Sequence, residues 1–127
     1  MPYAERTKVP VDRSRTEIER TLARYGADAF GYGWDAGRAA ISFRANGRHV
    51  RFTMPVGDDP QDERRRWRAL VLVVKAKLEA VESGITTFED EFLAHIVLPD
   101  NRTVTEWLKP QLEIAYESGG MPRQLMP

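Results

Sequence analysis

The sequence predicts an α+β domain: an N-terminal helix, a three-stranded antiparallel meander, a long central helix and two or three shorter C-terminal helices. The first sign is Asn46-Gly47 between two alternating apolar runs, because a two-residue type I′ turn needs positive φ at both positions. The second is Asp59-Pro60 followed by Asp62 and Glu63, a helix start ahead of a long apolar-periodic stretch. The third is a set of glycines, Gly26, Gly84 and Gly119-Gly120, at the points where helical periodicity stops.

Residues up to about Val11 read as an extended arm, since Pro2 and Pro10 restrict the residues before them. Ser14 and Glu17 then have capping-box spacing, Ile18, Leu22 and Tyr25 follow at helical intervals, and Gly26 closes the helix. The meander occupies roughly Ala29 to Met54. Counting outward from Asn46-Gly47 pairs Arg44 with His49, Phe43 with Val50, Ser42 with Arg51, Ile41 with Phe52 and Ala40 with Thr53. A turn at Ala36-Gly37 likewise pairs Trp34 with Ala39, Tyr32 with Ile41 and Phe30 with Phe43. One face then carries Phe30, Tyr32, Trp34, Ile41, Phe43, Val50, Phe52 and Met54, and is expected to be core. The reverse carries Gly31, Gly33, Ala40, Ser42 and Thr53, with Arg44, His49 and Arg51 along one side.

The long helix is expected from Pro60 to about Ser83. Trp67, Leu70, Val71, Val74, Leu78 and Val81 form one apolar face, and Ala69, Leu72, Val73, Ala76 and Ala80 form a second. Only Arg64, Arg68, Lys75, Glu79 and Glu82 make a continuous polar stripe, so burial on two sides is expected, inside the domain or against another subunit. A further helix starts near Thr86, with Glu89 at capping distance, and ends near His95. Ile96-Val97-Leu98 and Pro99-Asp100-Asn101 read as an extended piece and a turn. The last helix starts near Thr103 with Glu106 at capping-box spacing, and Pro110 predicts a kink or a split. Residues 119–127 read as a loose tail on a single domain covering 1–127.

Composition limits function. The 127 residues include 19 basic and 19 acidic ones, a formal net charge of zero, so any nucleic-acid contact has to come from local clusters. The chain has no cysteine, which excludes disulfides, thiolate metal sites and a cysteine nucleophile. Glycine-rich phosphate loops, HExxH and GxSxG are missing, and no cofactor, metal or enzymatic activity is expected. Glu91 and His95, four residues apart on a helix, share a face but are too few to make a metal site. No apolar run approaches the length of a membrane span.

Two basic features remain. Arg44, His49 and Arg51 lie beside the small residues of the reverse face, and Arg64-Arg65-Arg66-Trp67-Arg68 leaves Arg64 and Arg68 on one exposed line. Guanidinium groups match phosphate oxygens, so these five positions, Arg44, His49, Arg51, Arg64 and Arg68, are the candidate nucleic-acid contacts. Acidic neighbours at Asp58, Asp59, Asp62 and Glu63 offset the helical cluster locally. A protein-interaction module, homodimer or host-factor inhibitor, using the smooth sheet face or the Ala69, Val73, Ala76, Ala80 surface, is the alternative.

The stretch RRWRALVLVVKAKLEAVESGITTFEDEFLAHIVLPDNRTVTEWL resembles a family of small proteins encoded by bacteriophages and prophages. TKVPVDRSRTEIERTLARYGADAFGY and ISFRANGRHVRFTMP resemble it more loosely. The family transfers no catalytic residue and no assigned activity. What the resemblance implies is context: an accessory protein in a bacterial cytoplasm, acting on DNA or on host proteins.

Overall fold

The computed structural model describes residues 3–35 and 37–121 and, for residues 3–10, the backbone alone. Helix α1 (Tyr3–Tyr25) leads into strands β1 (Ala29–Asp35), β2 (Arg38–Ala45) and β3 (Arg48–Pro55), followed by helices α2 (Pro60–Glu82), α3 (Phe88–Phe92) and α4 (Val104–Ser118). A 3₁₀ turn, Leu93–His95, extends α3. The fold is the α+β arrangement expected.

The meander has the order β1-β2-β3, with Arg44 opposite His49, Phe43 opposite Val50 and Tyr32 opposite Ile41, as the turn arithmetic requires. Asn46 and Gly47 take φ of 53° and 73°, the positive values that a type I′ turn demands. Ile41, Phe43 and Val50 are fully buried beneath the helices. Tyr32 meets Trp67 of α2 with ring centroids 5.5 Å apart. Phe88 and Phe92 close the far end of the core, Phe92 standing edge-on to Phe43 at 5.8 Å and to Phe52 at 6.2 Å. Ile18 and Leu22 of α1 complete the core beside Trp67, Val71, Val74 and Leu78.

Five expectations need correction. The segment 1–11 is not an extended arm: from Tyr3 onward its backbone belongs to α1, and the buried strip Val11, Ser14, Ile18, Leu22 begins upstream of the expected cap. Ser14 is therefore a buried interior residue of that helix. Proline removes one helical bond, but burying this strip rewards continuing the helix through Pro10. The α3 cap is Thr87, which accepts from the Asp90 N–H, one residue later than expected. Of the two outcomes expected at Pro110, the split does not occur: α4 runs through it, and Pro110 is exposed, so the Glu106 carbonyl that loses its donor faces water. Trp34 is 75% exposed instead of core, because it lies at the hairpin end of the edge strand opposite Ala39, and the buried contact there goes to that alanine. Finally, α2 is buried on one side only.

The remaining caps follow the sequence. Gly26, at φ 120°, ends α1 in a Schellman arrangement, with the Ala27 N–H on the Leu22 carbonyl and the Gly26 N–H on that of Ala23. Asp59 caps α2 through the Gln61 N–H at 3.0 Å. Thr103 and Glu106 form a full capping box at the start of α4. The expected loose tail lies outside the described residues beyond Met121.

Candidate functional site

Alternation in β2 and β3 puts Arg44, His49 and Arg51 on the reverse of the sheet, while Arg64 and Arg68 belong to α2, which covers the opposite face through Trp67. The five candidate contacts therefore form two separate patches. Most are already occupied. Arg44 Nε donates to Asp28 at 2.9 Å, and Arg68 reaches Glu17 of α1 at 3.0 Å. Lys75 also bonds Glu17, so the two cations hold its carboxyl below the usual range, through hydrogen bonds first and charge second. Arg65 pairs with Asp62, and Arg66 donates to the Pro55 carbonyl at 2.9 Å. His49 and Arg64 form no ion pair among the described residues.

Arg51 is more enclosed than Arg44 and Arg68, with a side chain only 22% exposed. Its guanidinium donates to the Asn101 side chain at 3.2 Å, the Asn101 carbonyl at 2.9 Å and Glu106 at 3.2 Å. Glu106 in turn accepts from the Thr103 backbone and hydroxyl, and these bonds, ahead of the arginine, lower its pKa. Asn101 takes φ 72°, which asparagine tolerates well, and lets the 98–102 turn present its carbonyl to the sheet. Arg51 thus clamps the start of α4 onto β3.

Between this clamp and the reverse face lies an open cleft of about 720 Å³, bordered by Gly33, Trp34, Arg38, Ala40, Arg51 and His95. Its walls mix both charges, since Asp35 and Glu106 also border it. His95 stacks on Phe52 with centroids 4.1 Å apart, and burial, followed by the charge of Lys77, lowers its pKa. Glu91 is held by Lys77 at 3.1 Å. Among the described residues no group of three or more His, Asp or Glu stands ready to hold a metal ion, and no helix is long and apolar enough to cross a membrane.

Several apolar side chains stay exposed. Leu72 is 58% and Val73 42% exposed along the second face of α2, with Ala69 and Ala76 exposed beside them. On α4, Leu112, Ile114 and Tyr116 stand out of the core, Tyr116 at 83%. Leu112 and Tyr116 have i, i+4 spacing, a signal present in the sequence that the attention to charge passed over. No family model matches the chain, and neither a curated protein nor a solved structure matches it.

Proposed function

We propose that the chain is a non-enzymatic protein-interaction module that docks a partner on the apolar surfaces of α2 and α4. The observation that carries the reading is the exposure of Leu72 and Val73 on α2 and of Leu112 and Tyr116 on one face of α4, while Arg44, Arg51 and Arg68 are each engaged by a carboxylate of the same chain. Exposed apolar residues grouped on a helix face mark interaction surfaces, and an arginine already paired must give up its partner before it grips a phosphate. In the phage context implied by the resemblance, the partner is a host or phage protein of the bacterial cytoplasm.

Capture from bacterial lysate on immobilised protein, after nuclease treatment, tests this. The expected result is a set of proteins retained by the wild type and lost with Leu72→Glu/Tyr116→Glu. Retention that disappears on nuclease treatment overturns the reading.

A second reading, DNA binding, keeps support from Arg64 and His49, which carry no ion pair among the described residues, and from Arg38 beside the cleft. Its mark is salt dependence: removing one phosphate-contacting arginine shallows the slope of log K against log salt by about one. Labelled single- and double-stranded DNA at low salt, with Arg64→Ala as the variant, decides it.

A further inference from the structure

The two edges of the sheet differ in what covers their backbone. In a two-residue hairpin the residues flanking the turn form the closely spaced bonded pair, and bonded pairs then alternate along the ladder. With Asp35 opposite Arg38, β1 turns the N–H and C=O groups of Ala29, Gly31, Gly33 and Asp35 toward β2, and those of Phe30, Tyr32 and Trp34 outward. The same count on β3 turns His49 outward, and the His49 carbonyl indeed accepts from the Val97 N–H at 2.8 Å. No such cover exists on β1: the backbone groups of Phe30, Tyr32 and Trp34 find no hydrogen-bond partner among the described residues other than β2. The strand AFGYGWD also lacks the usual protections of an open edge, with no proline, no lysine and a single charge, Asp35, at its end.

We propose that the β1 edge pairs antiparallel with β1 of a second copy, across a two-fold axis at Tyr32, to give one continuous six-stranded sheet. The inference rests on the interaction-module reading and adds a second copy as a partner. Strand self-complementarity sets the register. With Tyr32 opposite Tyr32 of the other copy, every outward backbone group falls in a bonded pair, and Phe30 stands opposite Trp34 on the core side. That placement covers the 75% exposed indole with a half-buried phenyl ring. On the reverse face Asp35 falls opposite Ala29, whose neighbour on β2 is Arg44. The alanine methyl leaves the way open, and two strand spacings, about 10 Å, are within reach of an arginine side chain. Asp35 forms no ion pair among the described residues, so its charge is available to Arg44 of the other copy, which already engages Asp28.

Light scattering coupled to size exclusion, at sub-millimolar concentration, should give a dimer for the full chain and a monomer for Trp34→Pro. Proline there removes only an outward N–H, so far-UV circular dichroism and thermal melting of the monomer should stay close to wild type. Because the chain has no cysteine, Arg38→Cys accepts a single spin label. The proposed register separates the two labelled positions by about 25 Å, from three strand spacings across and six residues along. A monomeric wild type, a dimer unaffected by Trp34→Pro, or a label separation that departs from the proposed one of about 25 Å overturns the proposal. Capture of other proteins that Leu72→Glu/Tyr116→Glu abolishes, alongside a monomeric wild type, would sink the strand pairing while leaving the interaction-module reading intact.

Discussion

Along β3 the chain itself covers the His49 end of the outer edge, whereas along β1 the outward backbone groups find no partner among the described residues. Val50 bridges Ile96, Val97 donates to His49, and the turn that follows is tied down by Arg51. The β3 cover is anchored in the core through Phe92 and Ile96, both buried. On β1 the corresponding positions end in Trp34, an aromatic side chain with water on most of its surface. The contrast is that a later segment anchored in the core covers one edge, while on the other the outward backbone groups and the Trp34 indole find no cover among the described residues.

The largest effect should come from cutting the anchor. Phe92→Ala removes the ring that meets Phe43, Phe52 and Phe88, and should cost about 3–5 kcal/mol in urea unfolding. Amide exchange at Val97 should accelerate with it, since that donor depends on the segment staying against β3. A loss under about 1 kcal/mol would mean that the cover is held by Arg51 rather than by the core.

Next in size is the cap at the other end of the same segment. Thr103 accepts from the Glu106 N–H at 3.2 Å and donates its own N–H to the Glu106 carboxylate at 3.1 Å. Thr103→Ala should cost about 1 kcal/mol, measured by thermal melting, and loosen α4 more than the sheet. An equal loss of exchange protection in β2 would show that the helix and sheet unfold as one unit.

How much of this was legible in the sequence depended on the range of the interactions. The register was, because Asn46-Gly47 fixes it locally and each step outward follows by alternation. Depth was not: alternation assigns Trp34 a face, but whether helices reach that far along the strand is decided by tertiary packing. The same limit hid the course of α1, where a rule about Pro10 lost to the burial of Val11, Ser14, Ile18 and Leu22. Of the candidate site, the sharing of one face by Arg44, His49 and Arg51 was readable. The partners of the candidate residues were not, since Arg51 meets Asn101 and Glu106 across 50 and 55 positions and Arg68 meets Glu17 across 51.

A smaller effect is set by pH. The neutral form of His95 is favoured in the folded chain, so its pKa lies below the ordinary 6.5. As pH falls, the unfolded chain takes up that proton first. The stability due to neutral His95 is therefore complete above 6.5 and is lost as pH falls through the folded pKa. His95→Phe keeps a ring on Phe52 and should flatten the pH dependence of the urea midpoint below 6.5. Below 4.5 the Glu17 carboxylate contributes a further loss in the same direction, because its pKa is also lowered. An unchanged slope in His95→Phe would assign the acid sensitivity elsewhere.

The smallest effect is expected at the free edge, and its smallness is the point. Trp34 is the largest side chain on β1 and one of three tryptophans in the chain, yet among the described residues its indole makes no aromatic contact. At dilutions where the chain is monomeric, Trp34→Ala should change stability by no more than about 0.5 kcal/mol, the range of an ordinary surface substitution. A buried tryptophan gives a very different result: Trp67, fully enclosed, should cost about 3–5 kcal/mol on truncation. A loss at Trp34 near that of Trp67 would mean that the indole belongs to the folded monomer's core, and the β1 edge would then lack the exposed aromatic on which its pairing depends.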